Sequence, residues 1–195
     1  RQVSEGLYPH QVEGLAFLLG RKRSILADDM GLGKTRQSIL AFSHADSGGP
    51  YLVLCPASVK LNWQREIAMV LPEAKTHIVG PAPPPAPGFD GWVILNYDIL
   101  GKHLEALLTH NWVGIAFDEA HYLKNHRSQR SRFARTLVDR TAGDPVVHAL
   151  TGTPLTNRPR DLFPLLQLVD HPLGRSFMSF SQRYCDGGRN DYGHW

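Results

Sequence analysis

Short unbroken apolar runs alternate along this chain with longer stretches whose apolar positions recur at helical spacing. Six runs read as strands, at residues 24–27, 51–55, 75–79, 92–96, 113–117 and 146–150. Several are apolar almost throughout, as strands covered on both faces are. Helical periodicity falls between them, at residues 12–19, 36–42, 61–71, 99–108, 128–138 and 161–169, the last despite Pro164. In the first of these, Val12, Leu15, Ala16 and Leu19 form the stripe expected to face the core. In the third, Trp63, Ile67 and Val70 are expected to point inward. Strands alternating with helices predict an α/β fold, an open and mostly parallel sheet with helices on both faces. Residues 80–91, GPAPPPAPGFDG, are too proline-rich for a helix or inner strand and predict an exposed, partly polyproline connection.

The loop after the first strand is where chemistry enters. Residues 28–35 read DDMGLGKT, so a strand, a glycine-containing turn and Gly33-Lys34-Thr35 opening a helix follow in order. That order builds a phosphate loop. Gly31 and Gly33 permit backbone conformations closed to other residues, so the turn made by Asp29, Met30, Gly31, Leu32 and Gly33 can aim its N–H groups at an anion. The helix start adds its positive end to the same spot. Lys34 suits the outer phosphates and the Thr35 hydroxyl suits Mg²⁺. The general pattern G-x-x-x-x-G-K-[ST] wants a glycine where this chain has Asp28.

Asp118 and Glu119 end the apolar run at 113–117. Asp118 suits the same Mg²⁺ and Glu119 suits polarisation of an attacking water. Thr151-Gly152-Thr153 follows the last strand. Ligands in such sheets bind at the carboxyl ends of strands, so these three segments are expected to converge on one edge. Gln11, at the head of the first helix, carries an acceptor and two donors that suit the edge of an adenine; the alternative is an ordinary surface glutamine.

Composition narrows this only a little. At 195 residues, with 42% hydrophobic and 20% charged positions, the chain has mass for one full core. The net charge of +3 permits nucleic-acid binding without demanding it. Lys124, Arg127, Arg130, Arg132, Arg135 and Arg140 stand against Asp139 alone between residues 122 and 140. They form either a phosphate-attracting face or a solvated helix face whose arginines pair with acids elsewhere. No apolar run approaches the roughly 20 residues of a membrane helix, and no signal peptide is visible. The ten histidines are scattered and lack paired cysteines, so no zinc site is expected. Cys55 is expected as a buried free thiol, and neither it nor Cys185 belongs to a motif, which fits a reducing compartment. The chain begins at Arg1 rather than Met, as expected of a piece of something longer.

Ordered segments across nearly the whole chain resemble the ATPase motor of superfamily-two helicases, and within it the Swi/Snf-type DNA translocases. LYPHQ, ending at Gln11, is similar to that family's adenine-reading Q motif. ADDMGLGKT is similar to its phosphate loop, commonly DEMGLGKT, which accounts for Asp28 and leaves Asp29 where glutamate is usual. CPASVKLNWQREI and ILNYDIL resemble segments that approach the DNA backbone, the first through Ser58 and Lys60. FDEAHYLKN resembles the DEAH box. LTGTPLTNRPRDL resembles the coupling motif, where Thr151, Gly152 and Thr153 link nucleotide to DNA and RNA helicases carry Ser-Ala-Thr instead. FSQRYCD, at residues 180–186, resembles a segment of the annealing-helicase branch.

The resemblance implies a three-layer RecA-like lobe over residues 1–170, with ATP and Mg²⁺ as cofactors and Lys34, Asp118 and Glu119 as catalytic residues. It implies duplex DNA as a partner, held through its backbone, and a location inside the cell on DNA. It also implies a second lobe bearing arginine fingers, for which the residues after Val169 are too few. Residues 171–195 are therefore expected to begin the connection to that lobe, and the fragment alone to be nearly inactive. Two other functions stay open at this point: the ATP-binding lobe of an RNA helicase, and a nucleotide-dependent scaffold module without turnover.

Overall fold

All six strand candidates form strands, and every pairing between them is parallel. The computed structural model describes residues 6–29, 31–45, 48–152 and 159–185. The strands are β1 (Arg23–Leu26), β2 (Tyr51–Cys55), β3 (Thr76–Ile78), β4 (Trp92–Asn96), β5 (Gly114–Phe117) and β6 (Val146–Leu150). They lie in one sheet in the order β1-β6-β5-β2-β4-β3. The helices are α1 (Pro9–Leu19), α2 (Lys34–Ala45), α3 (Lys60–Val70), α4 (Leu100–Leu107), α5 (Gln129–Arg140), α6 (Phe163–Leu168) and α7 (Phe177–Tyr184).

Successive strand residues point to opposite faces, and each face has its own core. Val53, Cys55, Ile94, Ala116 and Leu150 pack with Leu15 and Leu18 of α1, Ile39 and Phe42 of α2, and Trp63 and Ile67 of α3. Their neighbours Leu52, Leu54, Val93, Leu95, Ile115, Phe117 and Ala149 pack with Leu100 of α4, Leu137 of α5 and Leu165 of α6. The result is the expected three-layer, RecA-like arrangement. Each of these fully buried large side chains contributes roughly 1.5–3 kcal/mol.

Helix α1 is rotated away from the stripe its hydrophobicity predicts. It buries Gln11, Gly14, Leu15 and Leu18, whereas Val12 and Leu19 are 36% and 40% exposed. The reason is a close approach to α2. A Cβ added to Gly14 would stand 1.9 Å from Gln37 Oε1, so the helices touch at a position without a side chain. A glycine and a polar contact thus decide the face, where periodicity weighs only apolar residues.

Pro164 is accommodated because α6 begins at Phe163, which puts the proline in the first turn, where no intrahelical N–H is needed. A tighter turn at Pro159–Leu162 precedes it. Ser128 caps α5, its Oγ accepting the Ser131 N–H at 3.2 Å. Between β3 and β4 the proline-rich stretch forms neither helix nor strand. Beyond residue 170, α7 packs Phe180 against Phe163 and Leu166, so the chain as far as 185 folds onto α6. No helix among the described residues is long and apolar enough to cross a membrane.

Candidate nucleotide site

β1 leads into the candidate phosphate loop and α2 starts at Lys34. Gly31 and Gly33 both take left-handed backbone, at φ +83° and +78°. Gly33 is also confined: a Cβ there would lie 2.3 Å from Gln11 Nε2. Two glutamines hold the loop in this shape. Gln11 Nε2 from α1 and Gln37 Nε2 from α2 each donate to Leu32 O at 3.2 Å. The other end of the Gln11 amide accepts the Tyr8 N–H at 3.1 Å. Gln11 is thus a buried tie rather than a surface residue, and both ends of its amide are engaged within the chain.

Lys34 is 8% exposed and folds back on the loop, its Nζ donating to Asp28 O at 2.7 Å and Asp29 O at 2.8 Å. Thr35 follows, half-buried, and the first turn of α2 holds no acidic residue. Met30 lies outside the described residues. Beneath the loop, α2 rests on β6. Ser38 Oγ and His148 Nδ1 are 2.8 Å apart, and the His148 ring stacks on Phe42 with centroids 4.3 Å apart. Burial holds the His148 pKa down at about 3, so the imidazole is neutral.

β5 ends in a more crowded place. The Asp118 N–H bonds to Leu54 O at 2.7 Å, which continues the ladder with β2. Its carboxylate accepts Trp63 Nε1–H on Oδ2 at 2.7 Å and the Glu119 N–H on Oδ1 at 2.9 Å. Tyr97 Oη–H donates to Asp118 O at 2.7 Å. Burial raises the Asp118 pKa, against the lowering effect of the Trp63 bond. The neighbouring Tyr97 phenol is pushed well above its usual value by burial, and so stays a donor. Burial, with help from the Asp118 charge, also pushes the Cys55 thiol up to about 12, and Cys55 is a free, buried cysteine as expected.

Glu119 sits in left-handed backbone at φ 47°, ψ 49°. That conformation costs a non-glycine residue roughly 1–2 kcal/mol and turns the side chain off the strand direction. His121 Nδ1 lies 3.2 Å from Glu119 Oε2.

The third segment emerges between these two. β6 lies between β1 and β5, and the Thr151 N–H bonds to Leu26 O at 3.1 Å. Thr151 is buried and Gly152 half-buried; Thr153 lies outside the described residues. The segments following β1, β5 and β6 therefore meet at the carboxyl ends of three adjacent strands.

A SNF2-related domain matches residues 10–187 of the chain. The chain belongs to the SNF2-related domain family. It is 35% identical over 188 residues to a Caenorhabditis elegans protein named SWI/SNF-related matrix-associated actin-dependent regulator of chromatin subfamily A-like protein 1 homolog, a match covering 94% of this chain and 27% of that protein. It is 30% identical over 190 residues to the mouse DNA annealing helicase and endonuclease ZRANB3, covering 92% and 17%. Among solved structures it is similar to the Sulfolobus solfataricus SWI2/SNF2 ATPase core in complex with dsDNA, at 27% identity and a TM-score of 0.78, covering 94% of this chain and 40% of that one. The chain spans about a quarter of the length of the first curated relatives it matches.

Within this SNF2-related domain the donor set fits a magnesium nucleotide. The loop turns through two left-handed glycines, its lysine lies against the loop's own carbonyls, and a hydroxyl and a buried carboxylate follow two of the strands. The residues expected at DNA are arranged less uniformly. Ser58 is exposed, but Lys60 donates to Val79 O at 3.0 Å and Asn96 Oδ1 at 3.1 Å, so its ammonium ties α3 to the ends of β3 and β4. Of the basic run, Arg130 pairs with Asp98, Arg135 with Asp139 and Arg140 with Glu105, while Lys124, Arg127 and Arg132 are exposed.

The geometry adds residues that the sequence reading passed over. Gln37 lies three residues after Lys34, one helical turn on, and that spacing is the signal that it shares the loop's face. Trp63 read only as core. His148 and Ser38 carry no sequence signal, since their contact spans 110 positions.

Proposed function

We propose that this chain is the ATP-binding first lobe of a DNA-dependent ATPase that moves on or remodels duplex DNA. What supports the reading is that the segments carrying Lys34 and Thr35, Thr151, and Asp118 and Glu119 follow the carboxyl ends of the neighbouring strands β1, β6 and β5. The family supports it, as does the likeness to a SWI2/SNF2 ATPase core solved with dsDNA.

In this reading the loop N–H groups and the Lys34 ammonium hold the outer phosphates of ATP by charge-assisted hydrogen bonds. Lys34 exchanges the carbonyls of Asp28 and Asp29 for them. Thr35 and Asp118 would hold Mg²⁺, which would supply neutralisation of charge on the transferring phosphoryl group. Glu119, turned off the strand by its left-handed backbone, orients the attacking water and accepts its proton. Gln11 braces the loop and would read an adenine edge only by giving up one of its present bonds. Thr151, bonded to the end of β1, passes the state of this site to the segment that follows β6. DNA is held by its backbone, and a second lobe completes the site. Such a protein works on DNA inside the cell.

The test is steady-state ATP hydrolysis by the full-length protein with duplex DNA, duplex RNA or no nucleic acid. Stimulation by duplex DNA alone is expected. Equal stimulation by RNA would make the lobe an RNA helicase's, and nucleotide binding with no turnover under any condition would make it a scaffold module.

A further inference from the structure

One acidic residue in this domain, Asp118, is gripped from both faces of the sheet, by its carboxylate on one side and its main-chain carbonyl on the other. Trp63, on α3 and part of the core shared with α1 and α2, donates to Asp118 Oδ2. Tyr97, in the turn after β4 and part of the opposite core, donates to Asp118 O. Both rings are buried, at 0% and 3% exposure. Core packing explains the burial of the rings. It does not explain why both polar ends meet the same residue.

A buried indole N–H needs an acceptor, but a main-chain carbonyl is enough. Trp112 uses one, donating to Leu107 O at 2.8 Å. Trp63 takes a carboxylate instead, and a bond to an ionised acceptor is about twice as strong as a neutral one. With Glu119 N–H on Oδ1, each Asp118 oxygen has one direction filled by the protein and keeps lone pairs for something else.

We propose that Trp63 and Tyr97 are positioning residues that fix the Asp118 side chain and backbone for a divalent cation, and so tie the metal position to the segments following β2 and β4. The proposal rests on Asp118 being a metal ligand, as read above. The ties lead outward on both sides. Trp63 stands one turn into α3, which starts two residues after exposed Ser58. Tyr97 adjoins Asp98, the partner of Arg130, whose guanidinium lies 5.9 Å from the Tyr97 ring centre and 5.4 Å from that of Tyr122. A shift of either segment is thereby a shift of Asp118.

The experiment follows binding of a fluorescent ADP analogue to the full-length protein, in EDTA and across a Mg²⁺ titration. Trp63→Phe keeps an aromatic ring and removes the donor. The Mg²⁺ concentration at half-maximal effect should rise on the order of tenfold, as when the partner of a metal ligand is lost. Affinity in EDTA should stay within about twofold, because the phosphate loop is untouched. Tyr97→Phe, which removes only a hydroxyl, should move the Mg²⁺ requirement the same way by about threefold. In an Asp118→Asn background Trp63→Phe should add nothing, since the indole acts through the carboxylate.

A Trp63→Phe protein that melts early yet keeps the parental Mg²⁺ requirement assigns the residue to packing alone and overturns the proposal. So does an additive effect in the Asn background. If Trp63→Phe fails to fold, Tyr97→Phe decides alone. If Asp118→Asn raises the Mg²⁺ requirement and neither aromatic variant does, only this inference falls. If Asp118→Asn leaves the requirement unchanged, the metal-ligand reading falls and the inference with it.

Discussion

The two halves of the proposed nucleotide site are held by opposite means. The phosphate loop is backbone tied down by polar side chains, with Gln11 and Gln37 on Leu32 O and Lys34 on the carbonyls of Asp28 and Asp29. Asp118, just past the end of the inner strand β5, is held by aromatic residues of the two cores, its carboxylate by Trp63 and its main-chain carbonyl by Tyr97. The first half can be retied, because the ammonium that closes it is the group a phosphate would attract. The second is set by packing before any ligand arrives, at the cost of burying a charge. The contrast assigns adjustment to the loop and fixed geometry to the carboxylates, and fixed geometry is what electrostatic stabilisation needs.

Glu119→Gln should separate the halves most deeply. In the full-length protein, turnover is expected to fall by about 10²–10⁴, roughly 3–5 kcal/mol of barrier, while the loop still binds nucleotide. Steady-state hydrolysis beside a binding titration measures both, and parental turnover would move the base to another residue.

Acid should loosen the loop half, because α2 rests on a neutral histidine. The His148 pKa is about 3 when folded, against an ordinary value of 6.5. As pH falls below that ordinary value the unfolded chain takes up a proton that the folded chain refuses, so stability declines until the folded pKa is reached. At about 1.4 kcal/mol per pH unit, this group alone removes roughly 2 kcal/mol between pH about 6.5 and 5. Urea midpoints across that range should show the slope, and His148→Asn should flatten it. An unchanged slope in His148→Asn places the acid sensitivity elsewhere.

The two loop glycines should differ. Gly31→Ala meets only the left-handed backbone, for about 1–2 kcal/mol, since nothing stands within 4 Å of the added Cβ. Gly33→Ala meets the same strain and also displaces Gln11, so it should lose at least about 1 kcal/mol more, the net worth of that hydrogen bond. Thermal melts of the pair test this, and equal losses would show that Gln11 does not brace the loop.

Smallest of all is a change away from both halves. Arg135→Ala breaks an exposed pair with Asp139 and should stay within about 0.5 kcal/mol in denaturant unfolding. A larger loss would mean that the basic face of α5 has a packing role.

Much of this was legible in the sequence, for a physical reason. Strands buried on both faces must be apolar runs, which made β2, β4 and β5 plain, while the half-buried β1 and β3 showed only as short breaks between helical stretches. The residues that follow a strand's carboxyl end could be placed together without knowing the strand order. What stayed hidden were directions set by distant partners. Apolar periodicity put Val12 and Leu19 inward, where Gly14 and Gln11 decided otherwise. Lys60 read as a charge for DNA, yet its stem delivers the ammonium to Val79 O and Asn96. Trp63 read as core, and its bond to Asp118 crosses 55 positions. The basic run divided, since Arg130, Arg135 and Arg140 found acids that spacing alone could not name.

The sheet order bears on how the protein is made. β1 carries the proposed phosphate loop at one edge of the described sheet, and among the described residues its neighbour is β6, with Arg23 opposite Val147. Synthesis therefore completes α1, the loop and α2 long before the strand that pairs β1 exists. In the interval the centre of the sheet, β2 with β5 and β4, can zip while β1 waits with its N–H and C=O groups unbonded. Contacts of such long sequence separation form slowly and leave strand edges open to wrong partners. A ribosome stalled before Val146 would hold out a finished glycine loop on a strand whose partner β6 is not yet made.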